Sequence, residues 1–233
     1  MRRATLVPLT LLLLVLAAAL PATAASGIPE SELVPLTDPD MLEYLGYPPD
    51  AENVYLWDRP ETDPAEHRPA AGDSGTAALG GDPSFWTASS GAEFHPLTDT
   101  LAYAKGVVAF NGALASLTDG GIFETQFRLP DGASLGWLDI AGYHNHASEP
   151  LVLTASRRCL GFFAGGDPVE TVIGTGTVND QDGAFVETFV IGGLAIDNST
   201  CTYHLRARFG DAGTGPTPGV AIQISKARAQ WSR

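Results

Sequence analysis

The chain has 233 residues, of which 44% are hydrophobic and 17% charged, and its 13 basic and 27 acidic side chains give a formal net charge of -14. A charge this negative argues against a nucleic-acid-binding protein, because phosphate contacts require a basic surface. The low charged fraction argues against a long charged helix, and two cysteines are too few for a disulfide-rich miniprotein. The length fits one domain with additional segments, or two small domains.

The first 25 residues have the pattern of a signal peptide. Arg2 and Arg3 provide the positive start, residues 6–20 form an apolar run, and residues 22–24 give an Ala-Thr-Ala cleavage site. The apolar run is shorter than the roughly 20 residues that a membrane-spanning helix needs. The sequence therefore predicts a secreted, extracellular protein with no transmembrane span, cleaved before Ala25.

Residues 26–93 are predicted to form an acidic, Pro-rich arm or linker. Residues 27–93 contain 14 acidic and only two basic side chains, and proline and like charges disfavour helices and sheets. Two stretches leave alternatives open. Asp38 is a candidate N-cap for a short helical turn over 41–47, and residues 54–57 have the composition of a strand that adds to the main domain or docks on it.

Residues 94–233 are predicted to form an all-β domain, an antiparallel β-sandwich of jelly-roll type. Apolar and polar residues alternate in short segments, which are separated by loops rich in Gly, Asp, Asn and Pro. No segment of helical length and periodicity lies between them, which favours a sandwich or a barrel. The predicted strands are 123–129, 135–143, 151–159, 185–191, 201–209 and 220–225.

Cys159 and Cys201 are the only cysteines and are predicted to form a disulfide. An exported protein retains such a bond, whereas two separate buried thiols are disfavoured in an oxidising compartment. Each cysteine shares a strand face with apolar residues, so both sulfur atoms are expected to point toward the core. Closing the loop between them is expected to contribute about 3–4 kcal/mol in the chain-entropy model.

The His144-Asn145-His146 motif is a candidate metal site. In a strand, this spacing places both imidazoles on one face, an arrangement that suits zinc held by three or four ligands. The candidates for a third ligand are His95, Asp139, Glu149 and His204. The favoured alternative is that Tyr143 ends a strand and the motif begins the turn after it.

Residues 179–183, Asn-Asp-Gln-Asp-Gly, resemble the start of a calcium-binding loop. Counted from Asp180, the twelfth position is Ile191, where such loops need a bidentate Glu, and Glu187 is displaced from it. A polar hairpin turn with Asp-Gly at its tip is favoured over a structural calcium site.

Aromatic side chains are candidates for binding sugars, because a pyranose has an apolar side that stacks on an aromatic ring. Trp137 and Tyr143 are the candidate ligand-binding residues for polysaccharide or cell envelope, and Trp86, Tyr103 and Trp231 are further members of such a platform. Core packing is the favoured alternative for each ring.

No catalytic residue is predicted. The Gly-Asp-Ser-Gly sequence at 72–75 matches part of the nucleophile segment of chymotrypsin-like proteases, but the histidine segment is absent and a flexible linker explains it better. No carboxylate pair for glycoside hydrolysis can be selected from 27 acidic residues. Asn198 begins a glycosylation sequon.

The run Phe127-Arg128-Leu129-Pro130-Asp131-Gly132-Ala133 resembles a group of uncharacterised exported bacterial proteins with one β-sandwich domain after the signal. Those proteins have a Leu-Pro-x-Gly-Ala turn and then an apolar aromatic strand, here 135–143. Segments 107–112 and 201–209 are also similar, so the resemblance covers residues 95–231. It implies the sandwich fold and export but brings no activity. This chain departs in having fewer aromatics in that strand, and the histidine pair is not part of the pattern.

The sequence therefore favours a secreted or cell-surface, non-catalytic β-sandwich protein that binds carbohydrate or the cell envelope. One alternative is a metal-assisted extracellular hydrolase that uses His144 and His146. The other is a structural exoprotein without a small ligand. The sequence defines neither the ligand nor the oligomeric state.

Overall fold

The computed structural model describes residues 28–58, 85–98, 101–105, 113–116, 120–146, 148–160, 168–179, 183–210 and 221–233. The predicted signal peptide, the Gly-Asp-Ser-Gly sequence and the segment 107–112 lie outside the described residues. So do the central residues 180–182 of the candidate calcium loop.

The described chain is built from strands of 2 to 13 residues, one short α-helix and two single-turn 3-10 helices. The helix α1 (Pro39–Tyr44) lies between the first two strands. In chain order the strands are β1 (Leu33–Pro35), β2 (Val54–Trp57), β3 (Phe85–Ser90), β4 (His95–Pro96), β5 (Tyr103–Lys105), β6 (Leu114–Ser116), β7 (Gly121–Phe127), β8 (Ser134–His144), β9 (Leu151–Cys159), β10 (Val169–Val178), β11 (Gly183–Ala195), β12 (Cys201–Phe209) and β13 (Ile222–Ser232).

The strands form two sheets that pack face to face, which confirms the predicted all-β sandwich. Sheet A has the order β1-β2-β10-β9-β12-β7-β4. Sheet B has the order β11-β8-β13-β6-β5, and β3 also pairs with β13. The ladders between described strands are antiparallel except that between β2 and β10, which is parallel.

The core lies between the sheets and is filled by the inward residues of both. Phe123, Leu153 and Leu205 of sheet A and Ile140 and Ile224 of sheet B are all 0% exposed. Burying each of these side chains contributes roughly 1.5–3 kcal/mol.

The bounds of the central strands follow the alternation in the sequence. β9 and β12 have the predicted bounds, 151–159 and 201–209. The other predicted strands correspond to β7, β8, β11 and β13, of which β13 runs on to Ser232. Period-two alternation identifies these strands because one face of each is buried against the other sheet.

One long strand, β10, is absent from the sequence prediction, because glycines interrupt its alternation. A Cβ atom built on Gly176 would lie 2.8 Å from a ring carbon of Phe189, and one built on Gly174 would lie 3.3 Å from Ile191. The missing side chains therefore let β10 approach β11 of the other sheet.

The described residues 28–58 of the predicted arm fold onto sheet A. The Asp38 side chain accepts a hydrogen bond from the Asp40 N–H at 3.1 Å and caps α1, as the sequence predicts. β2 joins β10, so the strand alternative holds for residues 54–57. A second apolar cluster fixes the segment, and its buried members are Leu36, Leu42, Leu45, Tyr47, Val54 and Val172.

Strand pairing also crosses the boundary that the sequence places at residue 93. β3 (Phe85–Ser90) lies before that boundary, and it pairs with β13 from Phe85↔Trp231 to Ser90↔Lys226. The segment before residue 94 thus contributes strands to both sheets.

The disulfide between Cys159 and Cys201 is present, as predicted. The two residues are direct partners on the neighbouring strands β9 and β12, and Cys201 belongs to the core. Such a bond fits an extracellular protein. Within the described residues, no helix has the length and apolarity needed to cross a membrane.

Candidate functional site

His144 and His146 take structural positions around a turn. His144 ends β8 and is 0% exposed, and its Nε2 donates to the carbonyl of Glu149 at 2.9 Å. Nδ1 of His146 accepts the Glu149 N–H at 3.1 Å. One nitrogen of each ring is therefore committed to the backbone, in keeping with the turn alternative.

The candidate third ligands do not complete a metal site. Among the described residues, no group of three or more His, Cys, Asp or Glu side chains is arranged to hold a metal ion. His204 instead contacts Glu124, with 3.0 Å between Nδ1 and Oε1. Asp139 pairs with Arg228.

The aromatic residues that the sequence selects first are not an open platform. Trp137 is 2% exposed, so neighbouring groups cover the faces of its ring. Tyr143 is partly buried, and its hydroxyl accepts from Asn145 Nδ2 at 3.3 Å. Phe85, Trp86 and Tyr103 are the more exposed rings, at 40–42%.

A polar cleft of about 510 Å³ lies between β3 of sheet B and the β4–β7 edge of sheet A. Volumes of roughly 300–1,000 Å³ are usual for small-ligand sites. Residues with hydroxyl, amide, imidazole, carboxylate and guanidinium groups line it. Its polar lining residues, which define the β3–β7 cleft, are Thr87, Ser89, Glu93, His95, Thr125, Gln126 and Arg128.

An aromatic pair lies next to this cleft. Phe85 stacks on Trp231 with ring centroids 4.6 Å apart, and Trp231 Nε1 donates to the Thr87 hydroxyl at 3.1 Å. Successive side chains of a strand alternate between its faces, so Phe85, Thr87 and Ser89 share one face of β3. An exposed ring is thus aligned with two hydroxyl groups.

The opposite face of β3 carries a different aromatic residue. Trp86 packs at 4.3 Å from the guanidinium of Arg228, which donates from Nε to Asp139 at 2.9 Å. The Thr188 hydroxyl also donates to Asp139, at 3.0 Å. Trp86 is exposed to a similar degree as Phe85. Its indole, however, lies on the outer face of sheet B.

A second open space, of about 690 Å³, lies between β2, β10 and β11. Its side-chain lining is mainly apolar and includes Leu56, Phe189 and Val190. The indole N–H of Trp57 donates to Glu32 at 2.9 Å, so it is not directed at a ligand. This groove offers few groups that recognise hydroxyls.

A charged cluster covers the outer face of sheet A. Arg158 donates to Glu124 at 2.8 Å through Nη1 and to Glu170 at 2.8 Å through Nε. Arg206 donates to Glu124 at 3.1 Å, and Tyr47 donates to Glu170 at 2.9 Å. The register explains the cluster, because Glu124 pairs with Arg206 across β7 and β12, and Glu170 with Arg158 across β10 and β9.

The cluster holds its carboxylates in the ionised form. Burial alone would raise the pKa of Glu124, but hydrogen bonds from His204 and Arg158 and the positive charges of Arg158 and Arg206 lower this pKa to about 2. The pKa of Glu170 is lowered in the same way, against its burial. Burial and the charge of Glu170 raise the pKa of the Tyr47 hydroxyl, which stays a donor.

The cluster also fixes the N-terminal segment. Arg206 Nη1 donates to the Gly46 carbonyl at 3.1 Å, and its guanidinium lies 4.0 Å from the centre of the Tyr47 ring. Contacts within the protein neutralise these charges, so the cluster has a structural role.

Arg157 is a buried arginine on the core side of β9. It is 1% exposed, and its Nε and Nη1 have no hydrogen-bond partner within the described chain. Burial lowers the pKa of its guanidinium to about 10, although the nearby Tyr203 and Asp197 oppose this effect.

The sequon at Asn198 lies in the turn between β11 and β12. The Asn198 side-chain amide donates to the Leu129 carbonyl at 2.6 Å, and its backbone N–H donates to Asp131 at 2.8 Å. Hydrogen bonds from Ser199 and Thr200 lower the pKa of Asp197, against a small effect of burial. The sequon side chains thus stabilise the turn.

The sequence analysis did not select the cleft residues on β3 as candidate site residues, because they lie in the segment that is predicted to form an arm. The pattern Phe85-Trp86-Thr87-Ala88-Ser89 does alternate, and β-branched and aromatic residues favour strands. What the pattern lacks is any indication that β3 faces β7.

Comparison with known proteins gives no family. No protein-family model matches the chain, and no curated protein matches it. Among solved structures, the CBM22-2 xylan-binding domain of Xyn10C from Paenibacillus barcinonensis matches with a TM-score of 0.36 at 10% identity, over 63% of this chain and 98% of that one. The C-terminal CBM6 of LamC, a marine laminarinase from Zobellia galactanivorans, matches with a TM-score of 0.36 at 13% identity, over 64% of this chain and 100% of that one. These TM-scores are too low to show what this chain binds.

Proposed function

We propose that the protein is a secreted or cell-surface, non-catalytic β-sandwich protein that binds a glycan in the β3–β7 cleft. The observation that carries the proposal is the Phe85–Trp231 pair beside a polar cleft, joined to it by the hydrogen bond from Trp231 to Thr87. The proposed export rests on the signal-like first 25 residues and agrees with the disulfide.

The chemistry of the cleft matches the two surfaces of a sugar ring. A pyranose presents C–H groups on one face, which pack on aromatic rings, and hydroxyls around its edge. Phe85 supplies an exposed ring, while Thr87, Gln126 and His95 supply donors and acceptors. Because one face of Phe85 stacks on Trp231, its ring is held in place before a ligand arrives, which reduces the ordering cost of binding.

The acidic residue in the cleft lining does not supply the chemistry of glycoside hydrolysis. That reaction uses two carboxyl groups on either side of the bond that is cleaved. Glu93 is the acidic residue in the lining that the structure describes, and its Oε2 accepts the Ser90 N–H at 3.0 Å. A binding role therefore accounts for the cleft better than a hydrolytic one.

Affinity electrophoresis of the full chain tests the proposal, in gels that contain soluble neutral or acidic polysaccharides. We expect at least one polysaccharide to retard the chain. Phe85→Ala is expected to weaken this binding about tenfold, because it removes one aromatic stacking contact and the apolar area buried by that contact. Trp86→Ala is the matched control, since it removes a ring of similar exposure from the opposite face of the same strand.

The outcomes separate the alternatives. Loss of retardation in Trp86→Ala but not in Phe85→Ala would move the site to the outer face of sheet B and overturn the cleft. Absence of retardation in every gel, together with no retention on cell envelopes, would overturn glycan binding. Loss of retardation in the presence of a chelator would indicate that binding depends on a metal ion.

A further inference from the structure

The charges that line the β3–β7 cleft contrast with the charge of the whole protein. The chain has a formal net charge of -14, yet the described lining of the cleft contains one guanidinium, Arg128, and one carboxylate, Glu93. An exposed guanidinium that lines a concave site attracts anions locally, even on an acidic protein.

Arg128 follows β7 at the open end of the cleft and is exposed. It forms no ion pair or hydrogen bond with another described residue. Other arginines of the described chain are used internally: Arg158 and Arg206 bind Glu124, and Arg228 binds Asp139. Arg128 therefore keeps its donors for a partner outside the protein.

Neighbouring groups reduce the repulsion that Glu93 would exert on an anion. One carboxylate oxygen of Glu93 accepts the backbone N–H of Ser90 in a capping box. The ammonium group of Lys105 donates to the carbonyl of Ala92, the residue before Glu93, at 2.9 Å. The described lining thus contains one carboxylate beside Arg128, and one oxygen of this carboxylate is already hydrogen-bonded.

We infer that the glycan bound in this cleft is an acidic polysaccharide, whose sugar carboxylate is recognised by Arg128. A guanidinium forms two parallel hydrogen bonds to a carboxylate, a geometry that the single ammonium of lysine does not reproduce. His95 and Gln126 supply further donors next to it. This inference rests on the proposed glycan binding and specifies its substrate class.

The test compares polygalacturonate with its methyl-esterified form, which has the same backbone and no free carboxylate. We expect polygalacturonate to retard the full chain. Binding to the methyl ester should be weaker by about tenfold or more. Arg128→Gln is expected to weaken binding to polygalacturonate by about tenfold to 100-fold, the usual contribution of a charge-assisted hydrogen bond. Arg128→Lys should recover only part of the loss.

The control variant is Lys226→Gln, which removes one positive charge from the opposite face of sheet B, where Lys226 pairs with Ser90 and is exposed. It should leave binding unchanged apart from a small effect of net charge. Sulfated dextran provides an anion without carboxylates, and its binding should be weaker and more sensitive to salt.

Each outcome bears on a separate claim. Equal binding to polygalacturonate and its ester, with loss in Phe85→Ala, would overturn the acidic substrate and leave the glycan-binding site in place. If Arg128→Gln and Lys226→Gln lowered the affinity equally, net charge alone would explain the effect. That result would overturn recognition by Arg128. Binding to no glycan would overturn the proposed function itself.

Discussion

Charged residues occupy two regions of this molecule in opposite ways. On the outer face of sheet A, Glu124, Glu170, Arg158 and Arg206 neutralise one another beneath the N-terminal segment. In the β3–β7 cleft, Arg128 is exposed and makes no ion pair with the described residues. Charges that are paired and buried fix the fold, whereas a charge that is open to solvent remains available for a ligand. The difference predicts that stability and binding respond to separate sets of substitutions.

The largest effect on stability is expected for Glu124→Gln. This change removes one of the two carboxylates that Arg158 and Arg206 share, and it leaves Glu170 as their remaining negative partner. Breaking a buried pair on one side is costly, so the free energy of unfolding should fall by about 3 kcal/mol. Urea unfolding measures it, with the exposed Glu52→Gln as control. Equal stability of the two variants would contradict a structural role for the cluster.

Low pH should reduce the contribution of the same cluster to the free energy of unfolding by a comparable amount. The folded-state pKa of Glu124 is about 2, below its ordinary value of 4.5, so its contribution is present above pH 4.5 and is lost as the pH falls toward 2. The linkage amounts to about 2–3 kcal/mol over that window. Urea unfolding at a series of pH values should show this decline in the native chain, and a smaller one in Glu124→Gln.

Arg157 provides the opposite case, a buried charge that forms no ion pair with the described residues and whose Nε and Nη1 lack hydrogen-bond partners there. Replacing it with an apolar side chain of similar length removes a desolvation cost that no ion pair offsets. Arg157→Met is therefore expected to raise the free energy of unfolding by about 1–2 kcal/mol. A lower melting temperature for Arg157→Met than for the native protein would show that the guanidinium is needed.

The smallest effect on stability belongs to Arg128. Since its side chain is exposed and makes no ion pair with the described residues, Arg128→Gln should change the free energy of unfolding by less than about 0.5 kcal/mol. The same urea titration gives this value. A loss above 1 kcal/mol would place Arg128 with the structural charges of sheet A and remove the contrast between the two regions.

Local patterns explain which parts of the fold are predictable. Cys201 to Phe209 alternates because every second side chain enters the core, and Asp38 caps α1 through a contact two residues away. Pairings between distant segments leave no such local trace. The proximity of Glu124, Arg158 and Arg206 depends on strand order, which the alternation of single strands does not encode.

The candidate site illustrates the same limit. Trp137 has the residue type of a sugar platform, but its neighbours in the fold cover it. The histidine pair has metal-ligand spacing, but the backbone of Glu149 engages both rings. The cleft itself combines β3 with β4 and β7, and the Pro-rich, acidic composition around β3 assigned that segment to an arm.

The two outermost strands of sheet A bear on how copies of the protein avoid one another. β1 (Leu33–Pro35) and β4 (His95–Pro96) are both very short, and each ends in a proline, which has no N–H to donate. A long strand with open N–H and C=O groups at such a position would template pairing with another chain. Among the described residues, both margins of sheet A therefore offer few open backbone groups, so pairing with another chain through the edges of this sheet is disfavoured.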